Sequence, residues 1–333
     1  MPATIVDIKE QTGLSLATIS KYLNGGNVLP ENKIKIEAAI KDLHYEVNEI
    51  ARGLVTNKTR TIGVIVYSVE SLFNGTLLRY IGDRLRKSGY GLLICDSCND
   101  EMIEAQNVRF LMNKKVDGMI VVPVSRTSDF LKPAEHAGIP IVLMDRRLRD
   151  AEFDCVKINN RLAAFRAVNT LIANNHKKIA VICSNESVYT GYERYKGYKD
   201  AMQQAGYPIP EQYVMKGTHA IEYGYESMIR LIELEDRPTA VFMSNYEITL
   251  GAVMAVNELG VQCPEEISML GFDDLILSHV VKPRMYMVVQ PMKEMSEKAV
   301  EMLLKRVNSK EQELPVEVVM STIVQEGNSI ARI

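Results

Sequence analysis

Hydrophobic and polar positions change rhythm once along this chain, near residue 60. Before that point the apolar residues recur at helical spacing in short segments. Thr4 and Asp7 form a capping-box pattern ahead of Ile5, Val6 and Ile8, and Gly13 ends the first helix. Ser15 is a natural N-cap for a second helix in which Ile19 and Leu23, four apart, face a core; Gly25 and Gly26 stop it. A third begins near Pro30-Glu31, with Ile34, Ala38 and Leu43 expected as its apolar stripe and Ile36 and Ile40 beside it. Two helices joined by a three- to four-residue turn containing glycine form a helix-turn-helix pattern. Residues 47–60, VNEIARGLVTNKTR, read as a linker with a short helical middle, capped by Asn48 and with Ile50, Ala51 and Leu54 on one side.

From Ile62 the texture is different. Continuous apolar runs alternate with amphipathic helices: IGVIVY, GLLIC and GMIVV, each followed by a helix, and IPIVLMD; the pattern restarts with FDCVKI, KIAVIC, YVMKG, TAVFM and ISMLGF, each followed by a helix except the last. Such runs, rich in Val, Ile and Leu, predict parallel sheets covered on both faces. About four units fall in 61–160 and about four more in 161–290, so two similar α/β lobes with a cleft are expected. Ligands bind beyond the carboxyl ends of strands in such sheets, and a cleft between lobes is a common pocket.

Composition narrows the picture little. The 333 residues are 47% hydrophobic and 24% charged, enough for two or three domains with cores. No apolar run is long enough to span a bilayer, and the start of the chain lacks a signal-peptide pattern. Five cysteines, an odd count, read as reduced thiols of a cytoplasmic protein. Net charge is −3; residues 1–60 hold eight Lys/Arg against seven Asp/Glu, which is +1 and leaves −4 for the remainder. That balance is weak support for a nucleic-acid module, so any DNA argument rests on pattern.

The second helix supplies that pattern. In a helix-turn-helix the second helix lies in the major groove, and its N-terminal residues meet base edges. Thr18 and Ser20 hydroxyls can bond phosphates or base acceptors, Lys21 can reach a guanine edge or a phosphate, and Leu16 and Ala17 can touch thymine methyls. A small helical bundle packed only on its own protein fits the local pattern as well. Elsewhere, Cys95-Asp-Ser-Cys98 lacks the second ligand pair a metal would need, and the Asp273-Asp274 pair has no nucleophile or metal cluster beside it. Gly89-Tyr-Gly91 lacks the third glycine of a dinucleotide fingerprint. No catalytic constellation, metal site or cofactor is expected. The charge run Lys305–Glu313 reads as a solvated helix end.

Taken in order, these residues resemble the LacI/GalR family of bacterial repressors. The N-terminal match is I-x-D-I…T-G-L-S-x-x-T-I-S-K-x-L-N-G, from Ile5 to Gly25. Further matches are Y-x-x-N-x-x-A-x-x-L (Tyr45–Leu54), V-D-G-x-I (Val116–Ile120), E-R-Y-x-G-Y (Glu193–Tyr198), I-S-M-L-G-F-D-D (Ile267–Asp274) and V-V-Q-P-M (Val288–Met292). The resemblance implies an all-α helix-turn-helix headpiece at 1–46, a hinge helix and linker at 47–60, and an α/β periplasmic-binding-protein-like sensor at 61–333. The sensor would have two parallel-sheet lobes, about 61–160 and 161–290, with the C-terminal segment crossing back.

It also implies roles. Thr4, Ser15, Leu16, Ala17, Thr18, Ser20, Lys21 and Asn24 would face DNA, with Asn48 and Ala51 in the hinge and Leu54 wedged into the minor groove. Phe73, Asp145, Arg194, His219, Asn245, Asp273 and Gln290 would line an effector site suited to a polyhydroxylated, carbohydrate-like ligand. The partners implied are a near-palindromic double-stranded operator, a second copy of the chain and a small-molecule effector, with no membrane. A C-terminal end without leucine heptads favours a dimer over a tetramer. An unliganded cleft could instead pair Asp145, Asp273 and Arg194 across the lobes. Lys21 stands where arginine is more common, which removes bidentate readout there. Tyr246 and Asn159 stand where the family usually has aspartate, which leaves a phosphorylated metabolite or phosphoprotein effector open. A solute-binding protein without a DNA role and an enzyme on the same scaffold are the remaining rivals.

Overall fold

A computed structural model describes residues 3–45, 53, 58–273, 276–309 and 313–333. The chain forms two compact units that divide between Arg60 and Thr61.

The first unit contains α1 (Ile5–Thr12), α2 (Leu16–Leu23) and α3 (Pro30–Asp42). The carboxylate of Asp7 accepts from the Thr4 backbone N–H at 2.7 Å and from its hydroxyl at 2.8 Å, which fixes the start of α1. Gly13 holds φ +69°, a left-handed turn that a side chain resists. Ser15 Oγ accepts from the Thr18 N–H at 3.2 Å and caps α2. The core is Ile8, Ile19, Ile36 and Ala39, with Ile5, Leu14, Tyr22, Leu23, Ile40 and Leu43 around it. This corrects the expected stripe on α3. Ile34 is 68% exposed and Ala38 is exposed, while positions 36, 39, 40 and 43 face inward. Both spacings are helical; what selects the second is the location of Ile8 and Ile19, which the α3 pattern does not contain.

The second unit holds two six-stranded sheets. The first contains β1 (Thr61–Val66), β2 (Gly91–Asp96), β3 (Gly118–Val121), β4 (Ile141–Met144), β5 (Asp154–Ile158) and β11 (Glu317–Met320), in the order β11-β5-β4-β3-β1-β2. The second contains β6 (Ile179–Ser184), β7 (Val214–Gly217), β8 (Ala240–Met243), β9 (Ser268–Phe272), β10 (Tyr286–Val289) and β12 (Ile323–Gln325), in the order β12-β10-β9-β8-β6-β7. Every pairing is parallel except β10 with β12. The sequence pattern missed β10, β11 and β12, which are short and lie near or beyond the end of the regular alternation. A four-residue helix, Leu277–Val280, also follows β9, where none was expected.

The remaining helices are α4 (Leu72–Lys87), α5 (Glu101–Asn113), α6 (Lys132–His136), α7 (Asn160–Ala173), α8 (Tyr189–Gln204), α9 (Ile221–Ile232), α10 (Tyr246–Leu259), α11 (Leu277–Val280) and α12 (Met292–Asn308). The chain changes lobe after β5, after β10 and between β11 and β12, and α12 packs on α4 and the first sheet. The run Lys305–Glu313 is not simply solvated. Arg306 forks onto Asp154 at 2.7 and 2.9 Å and ties the end of α12 to β5.

Two glycines allow the helix approaches that place the site. A Cβ on Gly197 would collide with the Arg161 carbonyl, so α7 and α8 meet backbone to backbone. A Cβ on Gly251 would collide with the Ile221 carbonyl, which brings α9 equally close to α10. The first approach carries Arg194 to Asn160; the second sets the N-terminal turn of α10.

Candidate functional site

In the first unit the leading half of α2 is open to solvent. Ser15, Leu16, Ala17, Lys21 and Asn24 are exposed, Thr18 and Ser20 half-buried, and Thr4 is exposed at the start of α1. Several of their polar groups are already engaged: Ser15 Oγ lies 2.9 Å from Thr18 Oγ1, and Asn24 Nδ2 donates to Ser20 Oγ at 3.3 Å. Ala17, Thr18 and Lys21 border a recess of about 620 Å³ against residues 27–32. Asn48, Ala51 and Leu54 lie outside the described residues.

In the second unit, all seven expected effector residues line one cavity between the lobes. Phe73, Asp145, Arg194, His219, Asn245, Asp273 and Gln290 are joined there by Tyr67, Arg146, Thr190 and Glu247. The cavity is only about 20 Å³, room for roughly one water. The lobes are therefore closed upon it.

The two aspartates occupy corresponding places. Each follows a strand, β4 or β9, and each has a left-handed backbone, φ +65° for Asp145 and +68° for Asp273. Each donates its N–H to the next strand, Asp145 to the Val156 carbonyl at 2.9 Å and Asp273 to that of Val288 at 2.8 Å. Aspartate tolerates this conformation better than most residues, yet it remains strained, and such positions cluster at functional sites.

On the second lobe the network is dense. Arg194 Nε donates to Asn160 Oδ1 at 2.7 Å, and its Nη1 donates to the Ser244 carbonyl at 2.6 Å. The guanidinium lies 3.6 Å from Asp273 Oδ2 and stacks on the Phe272 ring. Gln290 Nε2 donates to Asp273 Oδ1 at 2.6 Å. Burial pushes the Asp273 pKa up to about 6, against the pull of Arg194 and Gln290. Asp273 and Arg194 thus pair within one lobe, rather than across the cleft as the alternative to ligand binding would have it.

His219 stacks on no ring among the described residues; it is hydrogen-bonded. Asn245 Oδ1 accepts from the Ile248 N–H and caps α10, which fixes the amide's orientation. Its Nδ2 then donates to His219 Nδ1 at 2.7 Å. The imidazole proton is thereby assigned to Nε2. Burial, then the charges of Arg146 and Arg194, hold the His219 pKa down at about 3, consistent with a neutral ring.

On the first lobe Arg146 Nε lies 3.4 Å from Asp145 Oδ2, its Nη1 donates to the Pro123 carbonyl, and its guanidinium covers the Tyr67 ring. Glu104, fully buried on α5, accepts from the N–H groups of Val124 and Ser125 and so fixes the loop that carries Pro123. The lobes meet at Glu247, whose Oε1 accepts from Ser71 Oγ at 3.1 Å. Sequence reasoning missed Glu247 because it sought an acid at 246. Tyr246 packs instead into the apolar core beneath α10, and the carboxylate enters the cleft one residue later. Four enclosed polar atoms on the cavity have no hydrogen-bond partner: Asp145 Oδ1, Arg146 Nε, His219 Nε2 and Gln290 Oε1. Two accept and two donate, a set that a polyhydroxylated molecule can complete.

Among the described residues no group of His, Cys, Asp and Glu could hold a metal ion, and no helix is long and apolar enough to cross a membrane. Cys98 is exposed and Cys95 buried, both as free thiols.

A helix-turn-helix unit and a closed, two-lobed α/β unit with a polar interlobe cavity define a class, the DNA-binding regulator with a periplasmic-binding-protein-like sensor. A family model described as a periplasmic binding protein-like domain matches residues 168–330. A catabolite control protein A of Priestia megaterium is 32% identical over 98% of this chain and 96% of its own. An HTH-type transcriptional repressor PurR of Haemophilus influenzae is 32% identical over 93% of each. In three dimensions the chain matches a lac repressor dimer bound to operator and the anti-inducer ONPF, with TM-score 0.88 and 20% identity over 99% of this chain and 100% of that one. The chain belongs to the LacI/GalR family of bacterial transcription regulators.

Proposed function

We propose that the protein is a cytoplasmic repressor that binds a near-palindromic operator as a homodimer under control of a carbohydrate-like effector held between the lobes. The observation that carries this reading is the convergence of seven chemically apt side chains, from separate stretches of sequence, on one cavity with four unpartnered polar atoms. In the other unit, the exposed start of α2 supports major-groove readout by Leu16, Ala17, Thr18, Ser20 and Lys21, with Thr4, Ser15 and Asn24 toward the phosphates. Asn48, Ala51 and Leu54 take the hinge roles that the family resemblance implies. A second copy would cover apolar side chains left open on both lobes, among them Leu72 and Met102 on the first and Met254 and Val280 on the second.

Effector binding alters lobe closure and so the geometry of the paired DNA-binding units. The coupling is reciprocal: an effector that weakens operator binding by some factor is itself bound more weakly by that factor on DNA. The test is selection of duplexes from a random pool on the full chain, followed by anisotropy titrations with and without a panel of sugars. The reading requires sequence preference that at least one sugar shifts. Binding that never exceeds random competitor rejects the DNA role, and preference that no sugar moves rejects the carbohydrate effector. Leu54→Ala is expected to cost about 1–3 kcal/mol on an operator with a flexible central step while leaving non-specific affinity in place. Equal losses on both would remove the wedge role.

A further inference from the structure

The charges on the interlobe cavity do not balance. Three carboxylates line it, those of Asp145, Glu247 and Asp273, against two guanidiniums, those of Arg146 and Arg194. Each guanidinium already has its own carboxylate. Arg146 lies 3.4 Å from Asp145, and Arg194 lies 3.6 Å from Asp273 while also donating to Asn160 and the Ser244 carbonyl. His219 is neutral, for the reasons given above. Glu247 is left over, and both of its oxygens accept from uncharged donors: Ser71 Oγ on Oε1 at 3.1 Å and Asn245 Nδ2 on Oε2 at 3.2 Å. Among the described residues no cation lies within ion-pair distance of it. Burial raises its pKa, which its own N–H, Ser71, the Leu72 N–H and the more distant Arg194 only partly offset.

A second observation points to a ligand at the same place. Asp145 and Gln290 are each more than nine-tenths buried, and each leaves an acceptor oxygen, Oδ1 and Oε1, without a partner on this cavity. The free donors Arg146 Nε and His219 Nε2 balance those two acceptors, so hydroxyls can complete all four, and the surplus carboxylate favours a cation over an anion.

Building on the effector reading above, we propose that the effector carries an ammonium group, as an amino sugar does, and that this group takes the Ser71 hydroxyl's place on Glu247. Its remaining hydroxyls complete Asp145 Oδ1, Gln290 Oε1, Arg146 Nε and His219 Nε2. Glu247 stands at the boundary between lobes, so the ligand charge acts on the contact that holds them together. Phosphorylated sugars are excluded by the same surplus.

The experiment uses the full chain in calorimetric titration and thermal-shift assays at pH 7.5, with two panels of matched probes. One is glucosamine and galactosamine against their N-acetyl forms, the parent sugars and glucose 6-phosphate. The other is serinol against glycerol, an amine and a neutral polyol without a ring. The proposal expects an amine to bind about tenfold or more tightly than its uncharged counterpart. That preference should disappear in Glu247→Gln, which keeps the shape and the hydrogen-bonding oxygen. Preference for amines within the sugar panel supports both readings. Preference for serinol alone supports the charge and removes the carbohydrate. A neutral or phosphorylated sugar that binds as well as its amine overturns the charge while leaving the carbohydrate reading intact. Absence of amine preference in both panels, or its survival in Glu247→Gln, likewise overturns the assignment. If Glu247→Gln fails to fold, Asp145→Asn supplies the second variant, in which the amine preference must shrink.

Discussion

The two lobes are built on one plan and differ in how they hold their aspartate. Their strand orders correspond position by position, so Asp145 after β4 and Asp273 after β9 are structural counterparts, with the same left-handed backbone and the same N–H bond to the adjoining strand. On the second lobe both oxygens of Asp273 are engaged, by Gln290 and Arg194. On the first, one oxygen of Asp145 has no partner. One topology thus supplies a carboxylate locked into the scaffold and a carboxylate kept available. The locked one organises the site, whereas the available one is placed to receive a ligand.

Substitutions can break this contrast. The largest effect is expected from Arg194→Ala. It strips Asp273, Asn160 and the Ser244 carbonyl of a shared partner and should cost the second unit about 3–5 kcal/mol in urea unfolding, with loss of the effector response. Arg146→Ala touches fewer groups and should cost about 1–3 kcal/mol. Equal costs would mean the lobes do not differ as described.

Next in size is a pH effect. The folded state holds the Asp273 proton up to about pH 6, whereas the unfolded chain releases it near the ordinary 3.8. Its contribution to stability is therefore full below 3.8 and lost as pH rises to 6, by about 1–3 kcal/mol. His219 runs the other way: its contribution is full above 6.5 and lost as pH falls toward 3. Compared with the wild type, Asp273→Asn should gain relative stability as pH rises from 4 to 6. His219→Gln should gain it as pH falls from 6.5 to 4. Parallel stability–pH curves for either variant and the wild type would contradict the assignment. The smallest change in stability is expected from Asp145→Asn, about 1 kcal/mol, because it weakens the contact with Arg146 but keeps an oxygen that can accept there, and the other oxygen has no partner to lose. Its effect should fall instead on effector affinity, measured by calorimetry.

Much of this was legible in residue patterns. The capping box at Thr4–Asp7, the cap at Ser15 and the apolar runs of β1–β9 are local signals, because hydrogen bonding and side-chain periodicity act over a few residues. The candidate cleft residues were legible for another reason: they fall in an ordered set of motifs, and all but Arg194, which lies within α8, sit at or beside a strand end or a helix start. The inward face of α3 was not legible, since Ile34 and Ile36 suit a helix equally and only the positions of Ile8 and Ile19 choose between them. Nor was Glu247, because the sequence does not show which of two neighbouring residues in the first turn of α10 points into the cleft.

What the sequence by itself determined was the succession of elements, the break near residue 60, and the kinds of side chain available to each site. Those follow from propensity and periodicity along the chain. The pairing of Arg194 with Asp273 inside one lobe, the closure of the lobes through Glu247 and Ser71, and the surplus of one carboxylate were decided only by tertiary structure. Electrostatic pairing depends on distance and burial, and both are fixed only when segments far apart in the chain, such as those of Ser71 and Glu247, 176 residues apart, are packed together.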